Sequence, residues 1–178
     1  MLIRSGELEL RGFEPALSGV LYEVRNHPSV REHLRSTRPI AREDHERWVE
    51  ENLVRQRQVH LFLVFVAAAA RGLALLRNFA GDSAEIGVMM VQARRHRLAA
   101  YKASHLVGYY GFEVLGLERL LSYVPRHNAH ALAFNLACGL ERTGNDSEAY
   151  FELVLTRERS RNHPVHRRFR ARYPIVVS

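Results

Sequence analysis

The chain has 178 residues, of which 47% are apolar and 25% charged, a length and balance that suit one soluble domain with a real core. No apolar run approaches the ~18 residues a membrane-spanning helix needs, and the single cysteine, Cys138, cannot form an intrachain disulfide. The net charge is +7, and all but one of the 26 Lys+Arg are arginine, Lys102 being the exception. The basic excess gathers between Arg157 and Arg172. It attracts polyanions such as nucleotides, but no zinc-finger or aromatic RNA-binding pattern accompanies it, so a solvated basic tail is expected and a nucleic-acid partner is not. The opening Met1-Leu2-Ile3-Arg4 lacks the features of a signal peptide, which points to the cytoplasm.

Taken in order, Leu8 to Phe13 alternates apolar and polar residues like a strand. Pro15 opens a helix whose Leu17, Val20, Leu21 and Val24 share one face, and Asn26-His27-Pro28 breaks it. Ser29 caps a short helix through His33, Pro39-Ile40 is extended, and Arg42 to Gln56 is an amphipathic helix carrying Trp48, whose indole is expected to pack in the core. His60 to Ala68, Leu73 to Asn78 and Ala84 to Val91 read as a three-stranded meander, with turns at Ala69–Gly72 and Gly81-Asp82. A basic segment, Arg94 to Arg97, leads into a helix of about 98–115 that Gly116 ends. Glu118 to Val124 is a strand, Asn128 caps a helix through Ala137, and Gly139–Thr143 and Glu148–Arg157 are the last strands. The order predicts an α/β domain over 1–158 with a mixed sheet. The basic tail, 159–178, is expected to be weakly structured until the apolar stretch Tyr173–Val177.

The strand, basic loop and helix at 84–115 form a candidate anion site. Backbone N–H groups at a helix N-terminus carry partial positive charge, and Arg94, Arg95, His96 and Arg97 add full charge at the same place. A pyrophosphate suits it; so does a reading as a merely solvated basic turn, and local physics does not choose between them.

The order of elements and several phrases resemble the GNAT acetyltransferase superfamily over about residues 7–157. The family's pyrophosphate loop reads Q/R-x-x-G-x-G/A, and here it is Arg94-Arg95-His96-Arg97-Leu98-Ala99, with Arg97 in place of the central glycine. Ala84-Glu85-Ile86-Gly87-Val88 before it and Tyr110 to Arg119 after it resemble the phrases of relatives. A second family segment, N-x-x-A-[IL]-x-x-Y-x-x-x-G-[FY], is matched at Asn128, Ala131, Leu132 and Gly139, while Asn135 stands where the family has tyrosine. Glu23 to Pro28, Ser36-Thr37, Ile40 and His45 further resemble the N-acetyltransferases of UDP-linked amino sugars in pseudaminic acid biosynthesis. The Arg25-Asn26-His27-Pro28 turn is also similar to that of the ribosomal-protein N-terminal acetyltransferases.

The resemblance implies a GNAT fold, a mostly antiparallel mixed sheet splayed at the CoA site and flanked by helices. It implies acetyl-CoA as co-substrate, no metal, and direct acyl transfer to a primary amine. Met89, Met90 and Val91 would supply the strand amides and a slot for pantetheine, in relatives by way of a bulge. Arg94, Arg95, His96, Arg97, Leu98, Ala99 and Ala100 would hold the pyrophosphate, with Asn128 also on the cofactor. Glu85 is the candidate base, and Asn135 takes the place of the residue that protonates the departing thiolate, although an amide is not an acid. Arg25, Asn26 and His27 would face the acceptor. Each has a plain structural alternative: strand methionines as core filler, Glu85 as a solvated charge, His27 as a turn residue bonding backbone. The acceptor is expected to be a small amine, a nucleotide-linked amino sugar being one reading, a protein N-terminus another, and slow or absent transfer by an acyl-CoA-binding protein a third. A homodimer is one open reading, since the sequence does not decide the oligomeric state, and no membrane partner is expected.

Overall fold

In the computed structural model, residues 1–31, 37–56, 58–93 and 95–178 are described. Among them a mixed sheet runs in the order β7-β8-β6-β5-β4-β3-β2-β1-β9. Its strands are β1 (Leu2–Ser5), β2 (Leu8–Gly12), β3 (His60–Val66), β4 (Ala69–Ala80), β5 (Ser83–Met90), β6 (Arg119–Pro125), β7 (Glu141–Arg142), β8 (Tyr150–Thr156) and β9 (Val176–Val177). Each neighbouring pair is antiparallel except β5 with β6. This is the mixed, mostly antiparallel sheet that the resemblance implies.

Two apolar layers sandwich the sheet. On one face α4 (Arg97–Tyr109) lays Ala103, Leu106 and Val107 on Leu10, Val64, Leu76, Ile86 and Leu120. On the other, α1 (Ser18–Asn26), α2 (Pro28–Arg31) and α3 (Arg42–Val49) place Leu21, Val24, Val30 and Val49 on Leu63, Phe65, Leu73 and Leu75. The central strand β3 is covered on both sides, which is why its sequence is a continuous apolar run rather than an alternation. Both α3 and α4 run on as single π-helical segments, Glu50–Arg55 and Tyr110–Val114. Gly116, at φ +74°, ends the second, with the Leu117 N–H returning to the Gly111 carbonyl. No helix among the described residues is long and apolar enough to cross a membrane.

Several boundaries differ from expectation. The β3–β4 turn is at Ala67 and Ala68, both left-handed (φ 47° and 64°), and not at Ala69–Gly72. Gly72 lies inside β4 opposite Met90, where a Cβ would stand 2.3 Å from the Met89 carbonyl oxygen. Its glycine serves close strand approach rather than chain reversal. The strand expected over Gly139–Thr143 is only β7. The expected helix end at His33, together with Ser36 and Arg94, lies outside the described residues.

The stretch 159–178, expected to be weakly structured, is folded. It contains most of α6 (Arg157–Asn162), all of α7 (Pro164–Arg172), and β9, which extends the sheet beside β1. Phe169 packs 4.1 Å from the His105 ring, and Lys102 Nζ sits 3.9 Å over the Tyr173 ring. Arg161 pairs with Glu113, and Arg159 bonds the Gly139 carbonyl at 2.7 Å. The tail therefore staples α4 to the end of α5 (Ala129–Ala137).

Candidate active site

The parallel pair opens into a gap. β5 and β6 are in register only from Ser83–Arg119 to Glu85–Leu121, although β5 continues to Met90 and β6 to Pro125. The Val91 N–H donates to the Arg71 carbonyl at 2.7 Å on the β4 side. Successive N–H groups of a strand alternate sides, so the Met90 N–H turns away from β4 and into the gap. The β4–β5 register is continuous from Arg77–Glu85 to Gly72–Met90. The amide faces the gap because β6 diverges, and the bulge expected over Met89–Val91 is absent from this pairing. The Met90 side chain is buried under α4, whereas Met89 and Val91 pack toward α1 and α3.

After β5 the Arg95 N–H donates to the Gln92 carbonyl and the His96 N–H to that of Ala93. The N-terminus of α4 follows at Arg97. The first-turn N–H groups of a helix have no intrahelical acceptor and carry its positive dipole end. Arg95 and Arg97 are exposed beside them, as is Leu98, at 57%. His96 and Ala99 are half-buried, and Ala100 packs inward at the foot of the helix. Peptide amides and guanidinium groups together fit a pyrophosphate.

Beside α4, Asn128 caps α5 by accepting the Ala131 N–H at 2.9 Å, and the Tyr101 and Phe134 rings join α4 to α5 at 5.2 Å. Asn135 donates its side-chain N–H to the Ala131 carbonyl at 2.8 Å, within its own helix. Cys138 is buried, and desolvation pushes its thiol up to about 12, so it stays protonated and unreactive. No group of three or more metal-ligating side chains stands together among the described residues.

On the α1 side of the gap, Glu85 is bonded at both carboxylate oxygens, by Arg77 at 2.5 Å and Asn78 at 2.6 Å. Tyr123, which sequence reasoning missed, follows Leu121 by two on β6 and so shares this face. Burial, then the hydrogen-bonded Glu152 carboxylate and Glu85, raise its phenol pKa. Arg25 stacks 4.2 Å over Trp48 and reaches His45 Nδ1 at 3.3 Å, so the indole supports a cation rather than only filling core. Burial lowers the Arg25 pKa, and His45, bonded also to Ser18, is held neutral by burial. Asn26 bonds Ile40 reciprocally, accepting its N–H at 2.8 Å and donating to its carbonyl at 3.1 Å. His27 Nδ1 receives the Ser29 N–H at 3.3 Å and lies 2.9 Å from the Ser29 hydroxyl, leaving the neutral ring its proton on Nε2.

A splayed parallel pair, a strand amide turned into the splay and a basic loop opening a helix find their counterpart in a known family: residues 7–141 match the model of the acetyltransferase (GNAT) domain. The chain belongs to the GNAT acetyltransferase family. As such it is an N-acetyltransferase that takes acetyl-CoA as co-substrate. No curated protein matches the sequence. Solved structures share its fold. A GNAT-family acetyltransferase from Bacillus anthracis superposes with a TM-score of 0.69 at 18% identity, covering 89% of this chain and 99% of its own. The spermidine N-acetyltransferase of Vibrio cholerae in complex with CoA and spermine gives 0.74 at 18% identity, over 88% and 99%. A dodecameric structure of that Vibrio cholerae enzyme gives 0.71 at 17%, over 89% and 98%.

Proposed function

We propose that this GNAT acetyltransferase acetylates a small primary amine presented at the β5–β6 gap from the α1 side. The observation that carries the reading is the Met90 N–H turned into that gap, one short loop from the basic N-terminus of α4. Acetyl-CoA brings an activated thioester. The N-terminal turn of α4, with Arg95 and Arg97, would hold its pyrophosphate, and the Met90 amide would stabilise the oxyanion that develops as the amine attacks. The amine must reach the thioester neutral. Glu85 is the polar group of that face placed to receive its proton, after exchanging one of its two present donors for the acceptor, while the Tyr123 phenol, held protonated, can only hydrogen-bond the amine.

Arg25 and Asn26 are engaged inward, on Trp48 and His45 and on Ile40, so of the expected acceptor residues His27 Nε2–H is the donor left to meet a substrate. This supports an acceptor read chiefly by shape and amine charge. A nucleotide-linked amino sugar would need its phosphates held by other arginines. Calorimetry with acetyl-CoA and CoA, followed by thiol release over a panel of polyamines, amino sugars, nucleotide-linked amino sugars and peptide N-termini, tests the reading. Binding of CoA with release on a small amine supports it; release on peptides alone would replace the acceptor class. A second reading, cofactor binding with little turnover, is favoured by one observation: the Asn135 amide is engaged within its own helix and cannot act as an acid.

A further inference from the structure

The acceptor side and the cofactor side of the molecule meet at one hydroxyl. Ser29, in α2, accepts the backbone N–H of Gln92 at 2.8 Å across 63 residues of sequence. The same oxygen lies 2.9 Å from His27 Nδ1, which also receives the Ser29 N–H. With the Nδ1 lone pair facing it, the hydroxyl donates to the imidazole and turns its own lone pairs toward Gln92. Gln92 is the first residue after Val91 and has a φ of +50°. A side chain other than glycine disfavours that left-handed conformation. The turn that follows starts there, since the Gln92 carbonyl accepts the Arg95 N–H at 2.8 Å.

We propose that Ser29 is a positioning residue for the acetyltransferase. It holds Gln92 left-handed and thereby aims the loop leading to α4, so that a side chain of the acceptor-side helix sets the affinity of the cofactor site. The proposal rests on the reading that the N-terminal turn of α4 holds the CoA pyrophosphate. Without the hydroxyl, the Gln92 N–H loses its partner and the strained conformation its restraint. The loop then samples other geometries before CoA binds, which weakens binding by the fraction of time spent in them.

The test compares wild type, Ser29→Ala, Ser29→Thr, Gln92→Gly and Ser29→Ala/Gln92→Gly, using CoA calorimetry and steady-state kinetics. Losing one neutral hydrogen bond at a site of this kind is worth about 3- to 10-fold. Ser29→Ala should weaken CoA by that factor and raise the KM for acetyl-CoA, with kcat changed by less than about 2-fold, because the restraint acts before chemistry. Ser29→Thr keeps the hydroxyl and should match wild type. Glycine takes positive φ freely, so adding Gln92→Gly to Ser29→Ala should return CoA affinity to within about 3-fold of wild type. A merely structural role for Ser29 would not be rescued by a glycine on another segment. Wild-type affinity in Ser29→Ala, or no rescue by Gln92→Gly, overturns the inference alone. No CoA binding by the wild type overturns the cofactor reading and the inference with it.

Discussion

The Asn135 amide donates within its own helix, 2.8 Å to the Ala131 carbonyl. It has no proton to give a thiolate at neutral pH, whereas a phenol titrates near ~10. Asn135→Ala should therefore cost little acetyl transfer. Asn135→Tyr should raise it, by up to ~10²-fold or more if thiolate protonation limits turnover. CoA release with a working acceptor, followed across pH, decides; collapse of activity in Asn135→Ala would give the amide an essential role of its own. Arg95 and Arg97 carry the complementary prediction for binding. Both are exposed at the start of α4, so their attraction for phosphate is partly screened by salt. Arg95→Glu/Arg97→Glu should weaken CoA several-fold or more, with a smaller difference at high ionic strength, and unchanged affinity would remove these side chains from the cofactor site. These positions stand out in the sequence because a basic segment between a strand and a helix has a local physical meaning. Ser29 does not, because its partner is 63 residues away and its role exists only once α2 lies against the end of β5.

At the scale of elements, β3, β5, α4 and the Asn128-capped α5 follow from apolar pattern and capping, and the last three flank the β5–β6 gap. The errors have physical causes. Gly72 looked like turn chemistry, yet the turn falls on two left-handed alanines and the glycine faces β5. Its role is testable: in Gly72→Ala the new Cβ would sit 2.3 Å from the Met89 carbonyl oxygen and 2.6 Å from Met90 Sδ. The sulfur can swing aside but the carbonyl cannot move without displacing β5. The variant should lose about 1–3 kcal/mol of stability by urea unfolding, the usual range for overpacking. It should also weaken CoA binding, because the displaced stretch is the one whose Met90 amide faces the gap. Stability within experimental error of wild type would show that β4 and β5 separate there without strain. The tail helices escaped notice for another reason: α7 packs through His166, Phe169 and the aliphatic Val165 amid five arginines over Arg161–Arg172 that face outward or bond backbone, so its pattern reads as charge rather than as an apolar stripe.

For the whole molecule, the most consequential of these contacts joins the tail to α4. His105 and His166 lie Nδ1 to Nδ1 at 2.9 Å and are 7% and 4% exposed. One ring must donate and the other accept, so at least one is neutral, and the surroundings favour neutrality in both. Burial, then the charge of His166 and of Arg170, lower His105 to about 3. Burial, then His163 and Arg170 with Arg159 behind them, lower His166 to about 4. Cys138, facing the pair across a small cavity that Tyr101 and Ser104 also line, is a neutral thiol and offers no counter-charge. The sign follows. Both folded-state values lie below the ordinary ~6.5, so the unfolded chain binds protons that the folded one refuses. The pair's contribution is complete above pH ~6.5 and is lost as pH falls toward about 4 and then 3. Each group costs about 1.4 kcal/mol per pH unit once the pH is well below 6.5, which makes the pair worth about 3 kcal/mol between pH 7.5 and 5.5. The loss should appear first as release of α7 and β9, since those elements bury little else. Trypsin cleavage within 159–178, corrected for protease activity at each pH, should then accelerate on acidification before the rest of the chain unfolds. His166→Gln removes one titrating ring and should roughly halve the dependence of the unfolding free energy on pH over that window. A tail equally protected at pH 7.5 and 5.5, or a His166→Gln profile parallel to wild type, would show that the two imidazoles do not control how the tail is held.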